Sequence, residues 1–124
     1  MNNPYAKYKE QSVTTATPEE LTLMLYNGCI KFINLAEVYI EEKDYGKTNL
    51  NIQKAQDIIQ ELNITLNMDY EISQNLRQLY TFVNEKLLDA NIKKDKQALF
   101  DAKEIVSDLR DTWKEAMALS RKGK

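Results

Sequence analysis

Residues 17–35 read TPEELTLMLYNGCIKFINL (Thr17–Leu35), and their pattern decides the fold. Thr17 offers a hydroxyl to the first free amides of a helix, Pro18 suits the first helical position, and Glu20 can reach back to close a capping box. A helix is therefore predicted from Pro18 to about Lys43. Beyond the cap, Leu21, Met24, Leu25, Gly28, Phe32, Leu35 and Tyr39 form one stripe at helical spacing. Leu23, Tyr26, Ile30 and Ile33 form a second, roughly half a turn away at ~100° per residue. A surface helix in a small bundle needs only one apolar stripe. The first is expected to fill the bundle core. The second is expected to pack mostly against neighbouring helices or the N-terminal residues.

The same reading continues down the chain. After the break at Asp44-Tyr45-Gly46, a helix is predicted from about Lys47 to Leu66, with Ile52, Ala55, Ile59, Leu62 and Leu66 as its main stripe. Asp69 is expected to cap a third helix, from about Tyr70 to Ile92, whose stripe is Ile72, Leu76, Leu79, Val83, Leu87 and Ala90. Asp95 caps a fourth, with Ala98, Leu99, Ala102, Ile105, Val106, Leu109 and Trp113 along one side, fraying near Ser120. Long helices joined by short loops turn back on one another. The expected fold is all-α: an antiparallel four-helix bundle with an N-terminal arm or short extra helix. Residues 1–16 are polar apart from scattered Tyr5, Tyr8 and Val13 and read as the arm, a candidate groove cover; 17–120 form one bundle domain and 121–124 a basic tail.

Composition narrows the chemistry. The 124 residues are 43% apolar and 29% charged with a net charge of −2, which suits one domain with its own core and gives no clustered basic face for nucleic acid. The absence of histidine removes Ser–His and Cys–His pairs and histidine metal ligation. The three glycines are scattered, so no phosphate-binding loop forms. Cys29, the single cysteine, reads as a small buried hydrophobe. No secretory signal or membrane-length apolar run is seen, so a cytoplasmic protein without membrane insertion is expected. No catalytic residue, cofactor or metal site is expected.

Apolar residues exceed what one core absorbs. Ile58 lies with Asn51, Lys54 and Glu61 beside the main stripe of the second helix, Leu50 and Ile64 lie further round, and Tyr80 and Phe82 flank the stripe of the third. Such a surplus suggests grooves that accept apolar residues from another chain.

These segments resemble the FliS family of flagellin export chaperones. The resemblance runs through NPYAKY (Asn3–Tyr8), VTTATPEELTLMLYNGCIKF (Val13–Phe32), NLNIQKAQDIIQELNITLN (Asn49–Asn67), EISQNLRQLYTFVNEKLLDAN (Glu71–Asn91) and LRDTW (Leu109–Trp113). Thr17 stands where the family usually has serine, Asn27 where aspartate is common, and Cys29 where alanine is common. The resemblance implies a non-catalytic chaperone that holds the C-terminal disordered segment of flagellin in the cytoplasm, prevents premature polymerisation and delivers it to the flagellar type III export gate. It also implies an N-terminal segment that in some members folds over part of the client surface.

On that basis Tyr26, Asn51, Lys54, Ala55, Ile58, Leu62 and Tyr80 are the candidate flagellin-binding residues. Asn51 and Lys54 would fix register, and Ile58, Ala55 and Leu62 would line the groove. Tyr5, Tyr8 and Val13 are the candidate cover. The alternative reading of the apolar surplus is a homo-oligomer, in the simplest case a homodimer, or a regulatory adaptor.

Overall fold

The computed structural model describes residues 15–122, which form four α-helices and no strand. They are α1 (Pro18–Glu41), α2 (Tyr45–Ile64), α3 (Glu71–Lys93) and α4 (Lys96–Lys122). Short connections turn each helix back on the last. α1 packs against α2 and α4, and α3 closes the square against the same two. This is the antiparallel bundle the periodicity implies.

The start of α1 follows its sequence signal closely. The Glu20 amide donates to Thr17 Oγ1 at 3.2 Å and the Thr17 amide donates to Glu20 Oε2 at 3.4 Å, with Pro18 in the first turn. Asp44 caps α2 by accepting from the Lys47 amide at 3.1 Å. The buried Thr48 hydroxyl donates to the Asp44 carbonyl at 2.9 Å, so it is satisfied inside the core. Asp95 Oδ1 accepts from the Gln97 amide at 2.9 Å. Two sharp turns place non-glycine residues in the left-handed region, Lys43 at φ 59° and Lys94 at φ 52°.

The expected cap of α3 is corrected. Tyr70, not Asp69, is the N-cap residue, and it makes no side-chain capping bond. The turn is closed instead through Asn67, whose Oδ1 accepts from the Asp69 amide at 3.0 Å and whose carbonyl accepts from the Ser73 hydroxyl at 2.6 Å.

The larger correction concerns the two stripes of α1. Tyr26, Cys29, Ile30, Ile33 and Ala36 are its buried residues, so the second stripe is the core face. The first stripe is only partly covered. The physical reason is convergence. α1 packs against both α2 and α4, and Cys29, Ile33 and Ala36 are fully buried on the face it turns to the bundle interior. Leu21, Met24, Leu25 and Phe32, on the opposite flank of the helix, are left at the α1–α2 seam. On α3, Ile72 and Leu79 are likewise exposed, at 63% and 38%, while Tyr80, placed by periodicity at the edge of the stripe, is buried. The stripes of α2 and α4 lie where the sequence puts them: Ile52, Ala55, Ile59, Leu62, Leu99, Ala102 and Val106 are all core.

Polar contacts tie the ends of the bundle. The Trp113 indole N–H donates to the Glu19 carbonyl at 2.9 Å, joining α4 to the first turn of α1. Lys103 and Glu37 pair at 3.0 Å between the same helices, each three-quarters buried. Among the described residues, no helix is long and apolar enough to cross a membrane.

Candidate functional site: an apolar groove between α1 and α2

The partly covered first stripe of α1 does not face solvent alone. Leu21, Met24, Leu25, Gly28 and Phe32 form one wall of an open groove of about 530 Å³. α2 supplies the other wall through Lys54, Asp57, Ile58 and Glu61. The helical repeat dictates this lining, since residues three and four apart project from one side.

Gly28 sets the depth of the groove. A methyl group at this position would lie 3.3 Å from Ile58 Cδ1, so glycine lets the Ile58 side chain lie close against the α1 backbone. Phe32 is flanked by two ammonium groups, Lys54 at 5.3 Å and Lys31 at 5.5 Å from the ring centre, within cation–π range. Further along the seam Lys47 lies 5.4 Å from the Tyr39 ring. The wall is apolar, its rim charged.

Of the candidate residues, the structure brings Lys54 and Ile58 together in this groove. Ala55 and Leu62, one turn away on α2, lie behind the wall at 0% and 4% exposure. Asn51 is also buried, its Nδ2 donating to the Lys47 carbonyl at 2.8 Å within its own helix. Tyr26 and Tyr80 meet inside the bundle, their hydroxyls 2.6 Å apart between α1 and α3. Burial raises the pKa of both phenols, and for Tyr80 the bond to Tyr26 raises it further. Cys29 is buried as expected. Its Sγ lies 3.8 Å from the Ala55 carbonyl it faces, and burial pushes the thiol up to about 12. Tyr5, Tyr8 and Val13 lie outside the described residues.

Sequence reasoning missed Leu21, Met24, Leu25, Gly28 and Phe32 as groove residues. A usable signal was present. Gly28 sits in mid-helix, where glycine costs roughly 1 kcal/mol against alanine, and so needs a packing reason. The second stripe also continues through Ala36 and Ile40, as a core face should. Among the described residues, no cluster of three or more cysteine or carboxylate groups could hold a metal ion.

Comparison with known proteins completes the picture. The family model described as flagellar protein FliS matches residues 1–120. The chain belongs to the FliS family. It is 50% identical over 122 residues to the flagellar secretion chaperone FliS of Bacillus subtilis (strain 168), covering 98% of this chain and 92% of that one. It is 30% identical over 109 residues to the same-named chaperone of Salmonella typhimurium, covering 86% and 81% of the two chains. A solved crystal structure of a bacterial flagellar chaperone superposes with a TM-score of 0.77, covering 93% of this chain and 95% of that one at 19% identity, which shows the shared fold. FliS membership bears out the resemblance drawn from the sequence motifs and places the chain among flagellar secretion chaperones, in flagellum biogenesis and export.

Proposed function

We propose that this chain is a cytoplasmic export chaperone. It binds the C-terminal disordered segment of flagellin, prevents premature polymerisation and delivers the client to the flagellar type III export gate. The observation that carries this reading is the α1–α2 groove, an apolar trough with a charged rim, whose Leu25, Phe32 and Ile58 pack against the core on one side and are only partly buried.

The groove suits a client that orders on binding. A fully buried leucine or isoleucine contributes roughly 1.5–3 kcal/mol. Ordering a disordered segment costs about 2–5 kcal/mol or more. A few apolar anchors therefore give useful affinity while leaving release attainable at the export gate. Lys54 and Ile58 contact the client directly. Ala55, Leu62 and the Tyr26–Tyr80 pair act from behind, holding the helices that form the walls, and Asn51 stiffens α2 beside them. Tyr5, Tyr8 and Val13, ahead of α1 in the sequence, are assigned the role of the groove's cover.

The test is calorimetric titration of flagellin's C-terminal segment into the wild-type chain and Ile58→Glu. The expected result is a one-to-one complex with the wild type. The variant should lose binding and keep its helical circular dichroism. A folded variant that binds normally removes Ile58 from the site.

A second reading, self-association as a homodimer, is favoured by one observation. Ile64, Tyr70 and Ile72, around the α2–α3 turn, are each more than 60% exposed. A light-scattering mass that stays dimeric on dilution and ignores flagellin supports that reading over the first.

A further inference from the structure

The outer seam between α2 and α3 is lined with amides rather than aliphatic side chains. At one end Asn91 Nδ2 donates to Asn49 Oδ1, and at the other Arg77 Nε donates to Asn63 Oδ1 at 3.3 Å. The helices run antiparallel, so these two contacts set the register: Gln56 falls opposite Asn84 and Gln60 opposite Thr81. Between the closed ends lies an open slot of about 480 Å³, lined by these four residues with Leu88 along one side. The slot and the apolar groove open on opposite flanks of α2, and Asp57 is the residue they share.

The chemistry of the slot is one-sided. Asp57 on α2 and Glu85 on α3 stand at its rims, and neither makes an ion pair among the described residues. Asn84 Oδ1 is buried with no hydrogen-bond partner, which is costly for an amide oxygen. Asn84 as a whole is only partly buried and its terminal torsion is soft, so a turn about that bond carries the oxygen to the slot face. Carboxylates and amide oxygens together call for a cation rich in donors. A guanidinium is planar, always charged and carries five N–H donors, so it meets a carboxylate and an amide oxygen at once. The chain already makes one such contact in this seam, Arg77 on Asn63. Arg77 itself lies roughly 12 Å along α3 from Glu85, at about 1.5 Å per residue, and so leaves the middle of the slot to another group.

We propose that the slot receives an arginine side chain from a protein partner other than the one in the α1–α2 groove. Two features favour a peptide-borne arginine over a free cation. The slot is larger than one side chain fills, and its glutamine and asparagine amides both donate to and accept from a main chain. Leu88, half exposed, offers the apolar wall against which the arginine stem rests. The inference does not depend on flagellin filling the other groove.

The experiment titrates the tripeptide acetyl-glycyl-arginyl-glycinamide into the full chain and follows the side-chain amide signals of Gln56, Gln60 and Asn84. These should shift and saturate, with an affinity in about the millimolar range for so small a ligand. The citrulline tripeptide, of the same shape but uncharged, should leave them in place. Propylguanidinium, which keeps the charge and lacks the main chain, should bind more weakly. The surface variant Asp57→Asn/Glu85→Gln should bind the arginine tripeptide roughly 2- to 25-fold more weakly at low salt, from about 1.5- to 5-fold for each exposed pair. Shifts that rise without saturating, an equal response to the citrulline tripeptide, or unchanged affinity in the variant overturn the arginine site. Propylguanidinium binding as tightly as the tripeptide overturns the peptide source. With flagellin's C-terminal segment bound, the arginine-induced shifts should persist; their loss assigns the slot to flagellin and overturns the separate partner.

Discussion

At the scale of single residues, the polar groups inside the bundle carry more consequence than their number suggests. The Tyr26 and Tyr80 hydroxyls satisfy each other at 2.6 Å, with both side chains almost wholly buried. Removing one leaves the other without its partner, which costs about 1–3 kcal/mol, whereas removing both is close to neutral. Tyr26→Phe and Tyr80→Phe should each lower stability by that amount in urea unfolding, and the double variant should recover most of the loss. Cys29 gives a pH-dependent counterpart. Its thiol is raised from 9.0 to about 12, so the folded chain keeps a proton that the unfolded chain releases. The stabilisation is whole below pH 9 and falls as pH rises toward 12. Urea midpoints should decline across that window, and Cys29→Ala should flatten part of the decline at some cost in packing at neutral pH.

At the scale of the helices, local signals governed what the sequence could reveal. The Thr17-Pro18-Glu19-Glu20 start was legible because a capping box is a purely local arrangement. Thr17→Ala should cost about 1 kcal/mol, read as a lower midpoint in thermal or urea unfolding. Lys43 was less legible, since a left-handed residue at a turn is usually announced by glycine. A left-handed L-residue costs roughly 1–2 kcal/mol, and glycine's extra freedom in the unfolded chain offsets part of any relief. Lys43→Gly should therefore stabilise by about 0.5–1 kcal/mol. The α3 cap was misread for a related reason: Asp69 has the right chemistry, but the chain closes through Asn67 and Ser73. The two stripes of α1 could not be ranked from that helix alone. Both have helical period, and which one is buried depends on where α2 and α4 stand.

At the scale of the whole molecule, the fold and the family were readable and the site only in part. Ile58 and Lys54 were found because they stand off the core stripe of α2. Tyr26, Ala55, Leu62 and Tyr80 were drawn into the candidate set because apolar residues on a helix do not reveal which side of a wall they occupy. The opposite wall, from Leu21 to Phe32, was hidden by the ordinary expectation that the longest apolar stripe fills the core. The structure turns that surplus into a groove, and the groove is what the chaperone reading requires. Its occupancy by flagellin can be tested by titrating the C-terminal segment of flagellin into the full chain and following side-chain methyl signals. The shifts should concentrate at Leu21, Met24, Leu25 and Ile58 while Val83 and Leu87 in the core stay near their free positions. Shifts gathered along α3 and α4, with the α1–α2 methyls unmoved, would contradict it.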